Sequence, residues 1–460
     1  MTDIPNPGNA RKKAHHLSPA HIFSLGFLAI ILCGSLLLML PVSSNAGTVT
    51  PFPDTLFTSV SATCVTGLIV VDTGTHWSLF GQGVILCMIQ LGGLGFMSFA
   101  LLLLGAIGKR VTPRVRSLAA QSFGMESVDG TQKFVRRIFI GTAVMEGIGA
   151  LLLMIRTIPM LGVGRGVFAA VFMSVSAFCN AGFDPLGGVV TSEFSSLTEL
   201  GADPLLLLVL AALIMLGAAG FLVWNDIWEW LRRRKRMSVY SRFVLLLTAV
   251  LVLGGTALCA VLEWKNPATI GSMTVPEKLL HAFFQAVTPR TAGYDAIGQN
   301  NMLDVTKTLT MLLMFVGGAS GSTAGGAKIG TVGVVLCAVW ATLCGRRDIR
   351  VMRRTLTADT VRRAMCILFF LLLAIFVSAF CIAVWDGVSM EAALYECFSA
   401  YCTVGLSLSL TPTLGLASRF LLIFAMYLGR VGILTLSYVL LRRDRDEDAI
   451  RYPEAKLLIG

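Results

Sequence analysis

Residues 57–70 read Phe-Thr-Ser-Val-Ser-Ala-Thr-Cys-Val-Thr-Gly-Leu-Ile-Val, and three later segments follow the same design. These begin at Phe172, Phe283 and Tyr395, and every one of the four reaches a glycine ten positions after its first aromatic residue. The glycines are Gly67, Gly182, Gly293 and Gly405, separated by 115, 111 and 112 residues. A period this regular indicates four copies of one structural unit.

The composition is that of a membrane protein. Of the 460 residues, 55% are hydrophobic and only 14% are charged, and the mean hydropathy is +0.77, which excludes an ordinary soluble enzyme. About 20 apolar residues are needed to cross roughly 30 Å of hydrocarbon. Eight stretches meet that length, at 20–41, 81–104, 137–158, 204–226, 240–262, 308–341, 364–385 and 417–441.

The net charge of +11 arises from 37 basic and 26 acidic residues, and most of the excess lies in the linkers between spans. The basic stretches are 11–13, 109–137, 232–242, 346–363 and 442–451. Short basic loops stay on the cytoplasmic side. The charge therefore predicts cytoplasmic linkers and termini in a multi-pass protein, and it does not indicate a nucleic-acid partner.

Between consecutive linkers lie a span, a short apolar half-helix, the glycine and a second span. Units with an even number of crossings share one orientation, and parallel units arrange around an axis along the membrane normal. We therefore predict an all-α polytopic membrane protein with four parallel span–pore-loop–span repeats around a central pore, a pseudo-tetramer like a potassium channel. The predicted parts are 1–108 with pore loop 57–68, 109–231 with pore loop 172–183, 232–345 with pore loop 283–294, 346–445 with pore loop 395–406, and a cytoplasmic tail at 446–460.

The half-helices are too short to span, so the backbone that returns from them must line a wet, protein-enclosed cavity. Glycine lets that backbone turn its carbonyls inward at little steric cost, and rings of carbonyls hold dehydrated K⁺ in potassium channels. The predicted ion-binding residues are Val65, Thr66, Gly67, Asn180, Ala181, Gly182, Thr291, Ala292, Gly293, Thr403, Val404 and Gly405, with K⁺ at their carbonyls. The four segments look like a degenerate form of the potassium-channel sequence Thr-Val-Gly-Tyr-Gly. Its second glycine is missing from all four, which predicts fewer ion sites in series.

Acidic residues follow three of the glycines. Asp184 and Asp295 come two residues after theirs, and Asp72 comes five after Gly67. Such carboxylates raise the local cation concentration at a pore mouth, although solvated loop acids are an equally good interpretation. Arg290 stands where the other repeats have a cysteine, and its role stays open.

Residues 317–333 have too many glycines for a continuous helix, and they fall within the third repeat's second span. A break at that depth must face a cavity, so the segment is predicted to lie across the pore as a gate. The predicted gate residues are Gly317, Gly318, Gly321, Gly325, Gly326 and Lys328, together with Arg430 of the last span.

Arg430 falls in the middle of the predicted span 417–441, where an arginine costs about 2.5–3.5 kcal/mol on insertion scales. It should therefore face the pore or a partner. Its charge would either oppose cation occupancy below the filter or hold the glycine loop shut through the loop carbonyls. Glu146 is a second ionisable residue within a span, with an undecided partner.

Four motifs resemble the Ktr/Trk/HKT superfamily of cation transporters: SATCVTGL at 61–68, TPRTAGYD at 288–295, GGASGSTAGGAKIGT at 317–331 and GRVGILTL at 429–436. The short N-terminus resembles the Ktr membrane subunit more than the longer Trk one. The resemblance implies potassium uptake across a bacterial inner membrane by a homodimer with a cytoplasmic ring of nucleotide-binding, RCK-type regulatory subunits. It also implies that 317–331 is the intramembrane gating loop, and sodium dependence occurs in some members.

The main alternative is a Na⁺- or H⁺-coupled symporter of another small cation or solute. That alternative predicts a midplane pocket with pairing ionisable side chains, and only Glu146, Lys328 and Arg430 lie within the spans. An enzyme is not expected, because no nucleophile, base and orienting group assemble in the sequence. No cofactor other than K⁺, with Na⁺ in some relatives, is expected.

Overall fold

The computed structural model describes residues 19–95, 98–99, 131–201, 203–346 and 348–432. The helices of the first half are α1 (Pro19–Leu38), α2 (Phe52–Cys64), α3 (Thr73–His76), α4 (Leu79–Leu94), α5 (Thr131–Leu161), α6 (Val163–Cys179), α7 (Pro204–Ala219) and α8 (Phe221–Arg233). Those of the second half are α9 (Val239–Glu263), α10 (Val275–Val287), α11 (Asp304–Phe315), α12 (Ile329–Leu343), α13 (Ala358–Asp386), α14 (Met390–Tyr401) and α15 (Leu416–Val431).

Several predictions fall outside these residues. They concern the basic stretches 11–13 and 442–451, most of the linker at 109–137, both termini and the tail 446–460. In the linker between α12 and α13 the structure has two strands that were not predicted, β1 (Arg350–Val351) and β2 (Arg354–Thr355), paired antiparallel. The remainder of the described chain agrees with the helical class.

Three described helices are long and apolar enough to cross a membrane by themselves, namely α5, α9 and α13. The pair α7 and α8 passes the same test together, but it is bent by 96°. The expected span 204–226 is therefore a broken span. The bend occurs at Gly220, whose φ of +89° is readily adopted only by glycine.

The helices after two of the other pore loops, α4 and α15, also end at a left-handed glycine, whereas α11 is followed by Val316 with φ −94°. Gly95 follows α4 with φ +78°, Gly432 follows α15 with φ +91°, and Gly321, in the loop between α11 and α12, has φ +68°. Arg430 consequently lies in the last turn of α15. The helix within the predicted span 417–441 thus ends at Gly432, and residues 433–441 lie outside the described residues.

The packing between helices forms a cycle. The helix after each glycine segment contacts the half-helix of the next quarter of the chain, in the pairs α4–α6, α7–α10, α11–α14 and α15–α2. The last of these pairs returns to the first quarter. The C-terminal parts of α2, α6, α10 and α14 are thereby buried in the protein.

The aromatic residues that begin the sequence pattern anchor these half-helices. Phe57, Phe172 and Tyr395 are fully buried. In the third quarter the fully buried ring is Phe284, while Phe283 is only partly buried. The anchor in α10 is thus offset by one residue from its counterparts.

Candidate cation-binding site

The four glycine segments share one backbone conformation. The residue two positions before each glycine is left-handed, with φ of +59° at Val65, +60° at Asn180, +74° at Thr291 and +50° at Thr403. The glycines themselves follow with φ +91°, +70°, +81° and +98°. A left-handed non-glycine residue costs about 1–3 kcal/mol. Four such residues at one position indicate that the surrounding structure imposes this turn.

The amides beside the glycines point back to the half-helices. The Thr66 N–H donates to the Ser61 carbonyl at 2.8 Å, the Ala181 N–H to Ser176 at 2.7 Å, and the Val404 N–H to Ser399 at 2.8 Å. In the third segment the Ala292 N–H donates to Thr288 at 2.9 Å. The N–H and C=O groups of one peptide unit point in opposite directions. Because these N–H groups point at the half-helices, the carbonyls of the same peptide units point away from the half-helices.

Side-chain hydroxyls of the half-helices hold the same segments. The Ser61 and Ser399 hydroxyls accept from the glycine amides of their own segments at 3.1 and 3.0 Å. The Ser176 and Thr288 hydroxyls donate to the carbonyls of Phe183 and Tyr294 at 2.9 and 2.6 Å. Each segment is therefore fixed to the end of its own half-helix.

The four glycines stand side by side in a closed ring. A Cβ added to Gly182 would lie 2.5 Å from the Ala292 carbonyl oxygen, and one on Gly293 would lie 2.5 Å from that of Val404. In the same way, a Cβ on Gly67 would meet the Ala181 oxygen and one on Gly405 would meet the Thr66 oxygen. The order runs around the four segments and returns to the first. Most of the predicted ion-binding residues therefore come together at one axis.

The carbonyls in this ring lack protein partners. Thr66, Ala181, Ala292 and Val404 are completely buried, yet no hydrogen bond within the described part of the chain ends on their carbonyl oxygens. Buried carbonyls are normally paired. Four unpaired ones around an axis form a site that suits a dehydrated cation.

A cavity of about 500 Å³ opens above the ring and is lined by all four glycines. Asp72, Asp184 and Asp295 also line it, and no lysine, arginine or histidine is among its described lining residues. The Asp295 carboxylate accepts from three backbone amides, those of residues 297, 298 and 299. The three carboxylates give this mouth a negative potential, which attracts cations.

Asp184 differs from the other two carboxylates. Its Oδ1 accepts the Leu186 N–H at 2.8 Å, whereas its Oδ2 is buried without a partner among the described residues. Burial raises the pKa of this carboxyl to about 7; the Leu186 N–H opposes the rise and the charge of Asp72 adds to it. Asp184 therefore changes charge near neutral pH.

The loop between α11 and α12 lies beneath the ring. The Thr323 hydroxyl donates to the Phe178 carbonyl at 3.1 Å, at the end of α6. A Cβ on Gly326 would lie 3.2 Å from the Cys402 carbonyl oxygen, and one on Gly325 would collide with the Thr403 hydroxyl. The loop thus contacts the second and fourth glycine segments from below.

The base of this loop is closed by its own hydrogen bonds. The Gly317 N–H donates to the Ala327 carbonyl at 2.9 Å, and the Ile329 N–H donates to the Gly318 carbonyl at 3.0 Å. Lys328 donates its Nζ proton to the Ala324 carbonyl at 2.6 Å. The loop is a compact unit whose two ends are adjacent.

Arg430 connects this loop to the opposite side of the axis. Its guanidinium donates to the Thr323 carbonyl and to the Gly92 carbonyl of α4, and to the Gly93 carbonyl at 3.1 Å. These bonds correspond to the second of the two predicted roles, an arginine bound to loop carbonyls. Whether the contact gates a pore stays a prediction.

Two residues whose roles were open bond to uncharged side chains. Glu146 accepts from Gln90 at 3.1 Å, and its Oε1 lies 3.9 Å from the thiol of Cys179. Arg290 donates to the Thr248 hydroxyl at 3.4 Å. Neither pairs with an opposite charge in the ion pairs that the structure describes.

The sequence interpretation missed a second repeated pattern, Gly-x-x-Gly. It occurs at 92–95, 217–220, 318–321 and 429–432, and the last glycine of each copy is left-handed. In three copies the first glycine approaches the end of a half-helix: a Cβ there would collide with the carbonyl of Thr63, Phe178 or Tyr401. One copy follows each pore-loop glycine, 25, 35, 25 and 24 residues later, and this was the available signal.

Sequence comparisons identify a family and several relatives of this chain. Residues 22–450 match the TrkH family, described as cation transport protein. The chain is 37% identical to the potassium/sodium uptake protein NtpJ of Enterococcus hirae, over 96% of this chain and 98% of that protein. It is also 37% identical to the Ktr system potassium uptake protein B of Bacillus subtilis, over 96% and 97% of the two chains.

Among solved structures, the potassium transporter TrkH from Vibrio parahaemolyticus superimposes with a TM-score of 0.70 at 19% identity, covering 94% of this chain and 87% of that one. At this identity the likeness supports the fold alone. The sequence relatives confirm the resemblance to the Ktr and Trk transporters. The chain therefore belongs to the TrkH family of cation transport proteins.

Proposed function

We propose that this chain takes up potassium across the cell membrane by passing K⁺ through the ring of four glycine segments. The observation that carries the proposal is the set of four buried, unpaired carbonyls at residues 66, 181, 292 and 404. Carbonyl oxygens replace the hydration shell of K⁺ in potassium channels. Relatives with 37% identity over nearly the whole chain are named as potassium or potassium/sodium uptake proteins.

The architecture proposed for this function is four parallel repeats around one pore, a pseudo-tetramer like a potassium channel. The cyclic packing of the half-helices supports it, as does the closed order of the four glycines. The half-helices direct their C-terminal ends at the ring, where a helix dipole favours a cation. With a single glycine per segment, we propose fewer ion sites and slower throughput than in a tetrameric channel.

The gate in this proposal is the loop 317–331 together with Arg430. Arg430 bonds to the loop at Thr323 and to α4 at Gly92 and Gly93. The guanidinium thereby spans the path below the ring. Ions would pass when these bonds break and the loop moves aside.

We propose a bacterial inner membrane as the location, with the aspartate-lined cavity outside and the basic linkers inside. The short basic stretches at 232–236 and 346–363 support this orientation by the positive-inside rule. The name Ktr system in two relatives supports a membrane subunit that works with further components. We propose a homodimer bound to a cytoplasmic nucleotide-binding ring, with Na⁺ as a candidate coupling ion.

A coupled symporter is less well supported. It would need a pocket with ionisable side chains that pair with each other near the membrane midplane. Glu146 bonds to a glutamine, Lys328 to a loop carbonyl, and Arg430 to three carbonyls. Each of the three ionisable side chains hydrogen-bonds to an uncharged partner. They therefore do not form the pair of opposite charges that a symporter pocket would need.

The test is Gly293→Ser in proteoliposomes, with K⁺ and Na⁺ fluxes measured in the same preparation. A Cβ at Gly293 would lie 2.5 Å from the Val404 oxygen, so we expect the preference for K⁺ over Na⁺ to fall. Gly254→Ser is the matched control, because no atom lies within 4 Å of a Cβ there. An unchanged ion preference in Gly293→Ser would refute the assignment of the ring as the ion filter.

A further inference from the structure

The helix α8 leaves the membrane-crossing direction directly below the gate. It begins immediately after the 96° bend that follows α7. Its Asp226 carboxylate accepts from the Ser241 hydroxyl at 2.6 Å and from the Ser238 amide at 3.2 Å, and Ser238 caps the first turn of α9. The middle of α8 is therefore fixed to the N-terminal end of α9.

The position of α8 relative to the bilayer follows from the length of α9. That helix has 25 residues, or about 37 Å at 1.5 Å per residue, which is enough to cross roughly 30 Å of hydrocarbon. Its N-terminal end must then reach the membrane–water interface. Because Asp226 is bonded to that end, α8 lies across the span at the interface.

The C-terminal end of α8 has the composition of a segment that anchors a protein at the membrane interface. Trp228, Trp230 and Leu231 are each at least half exposed, and tryptophan concentrates at membrane interfaces. The guanidinium of Arg232 lies 4.4 Å from the centre of the Trp228 ring. The other face of the helix is anchored in the protein, where Val223 is fully buried.

Five consecutive basic residues, 232–236, follow these apolar side chains directly, and all five are exposed. One acidic neighbour, Glu229, lies 3.6 Å from Lys235, which leaves the arginines in excess. Clusters of four to eight basic residues next to a membrane helix bind anionic lipid headgroups. A run of basic residues beside tryptophans at the membrane boundary matches the charge and depth of anionic lipid headgroups.

We infer that the end of α8, residues 228–236, binds the phosphate headgroups of anionic phospholipids and that this binding influences the gate. The connection to the gate is short. The first amide of α8, that of Phe221, donates to the Gly321 carbonyl of the loop at 3.0 Å. A Cβ on the adjoining Gly220 would lie 2.9 Å from the Ala319 side chain, so a tilt of α8 displaces the loop.

Lipid retention by the purified full-length protein tests the binding step without any transport. The probe is phosphatidylglycerol against phosphatidylcholine, counted by native mass spectrometry. We expect the triple change Arg233→Gln, Arg234→Gln and Arg236→Gln to weaken phosphatidylglycerol retention at least about tenfold, since three of the five basic residues that attract anionic headgroups lose their charge. The same three positions changed to lysine should retain the lipid.

The matched control is Arg346→Gln, Arg353→Gln and Arg354→Gln, which removes the same charge from another exposed basic linker. Equal loss in both triple variants, or undiminished retention in the α8 variant, would overturn the inference. Loss of a bound regulatory protein with lipid retention intact would also overturn it, in favour of a protein partner at α8.

The influence on the gate rests on the proposed uptake function, so it is measured separately. K⁺ flux is recorded in vesicles of pure phosphatidylcholine and in vesicles that contain increasing fractions of phosphatidylglycerol. We expect the wild type and the control to change flux severalfold with phosphatidylglycerol, and the α8 glutamine variant to respond little. Lipid-independent flux in the wild type would contradict the gate connection, whereas absence of K⁺ flux under every condition would contradict the proposed function instead.

Discussion

The glycine ring and the layer beneath it differ in symmetry. In the ring, all four quarters of the chain contribute the same left-handed turn, and each glycine faces the main chain of its neighbour. In the layer below, one quarter supplies a 13-residue loop between α11 and α12, another supplies Arg430, and a third supplies only the carbonyls of Gly92 and Gly93. Equal ligands around an axis suit ion coordination, while a single loop suits a part that moves.

The two regions also differ in what surrounds their glycines. A Cβ added to a ring glycine would collide with a backbone carbonyl oxygen of the next segment, and that oxygen can move only if its whole segment moves. Of the loop glycines, Gly325 meets the side chain of Thr403, whose hydroxyl can rotate, while Gly326 faces the Cys402 carbonyl. Substitution in the ring should therefore damage conduction, and substitution of Gly325 should alter regulation.

The largest effect is expected for Gly405→Ala. Gly405 has φ +98°, and a Cβ there would collide with the Thr66 oxygen. The left-handed conformation costs any non-glycine residue about 1–3 kcal/mol, but here the Cβ also displaces a ring carbonyl, so K⁺ flux into proteoliposomes should fall about a hundredfold. Gly387→Ala is the control, because Gly387 is also left-handed (φ +65°) but has open space around it. Equal losses in both variants would mean that backbone strain, and not closure of the ring, is responsible.

Deleting residues 319–326 should have the next largest effect. The flanking residues Gly318 and Ala327 belong to segments already joined by the Gly317–Ala327 and Gly318–Ile329 hydrogen bonds, so the shortened chain can close. Removal of the loop should raise unregulated K⁺ flux and leave the K⁺ over Na⁺ preference unchanged. A correctly folded deletion variant that does not transport would count against the loop as a gate.

Arg430→Gln should give a smaller increase in unregulated flux. Hydrogen bonds to a charged group contribute about 1.5–3 kcal/mol, so loss of the bonds to Thr323, Gly92 and Gly93 should raise the leak about tenfold. Arg419→Gln is the matched control, because Arg419 lies in the same helix but pairs with Asp54 at 2.9 Å and not with the loop. A leak of the same size in both variants would show that loosening α15 is sufficient.

The smallest effect concerns external pH and Asp184. Burial raises the pKa of the Asp184 carboxyl to about 7. The carboxyl therefore gains a proton as the pH falls from 8 to 6, and the cavity mouth loses one negative charge. The apparent KM for K⁺ should then rise about twofold to fivefold. Asp184→Asn should have a high KM at both pH values, while Asp304→Asn, an exposed acid, should keep the pH dependence. A pH-dependent KM in Asp184→Asn would exclude this carboxyl as the titrating group.

Some of the site could be predicted from sequence because it repeats. Four aromatic-to-glycine segments at a near-constant interval indicated four similar loops, and the glycine-rich segment at 317–333 indicated a broken span. Both signals are local: a glycine interrupts a helix whatever surrounds it. The breaks at Gly95, Gly220 and Gly432 were missed because an isolated glycine is also common within membrane helices.

The sequence by itself determined the membrane class, the helical content and the four glycine positions, since these follow from apolar length, composition and period. Only the tertiary structure decided that each glycine faces the carbonyl of the next segment, that Arg430 bonds to the loop and to α4, and that α8 turns aside beside that loop. Those contacts join residues about a hundred or more positions apart. Their geometry depends on how whole helices pack, which no local pattern encodes.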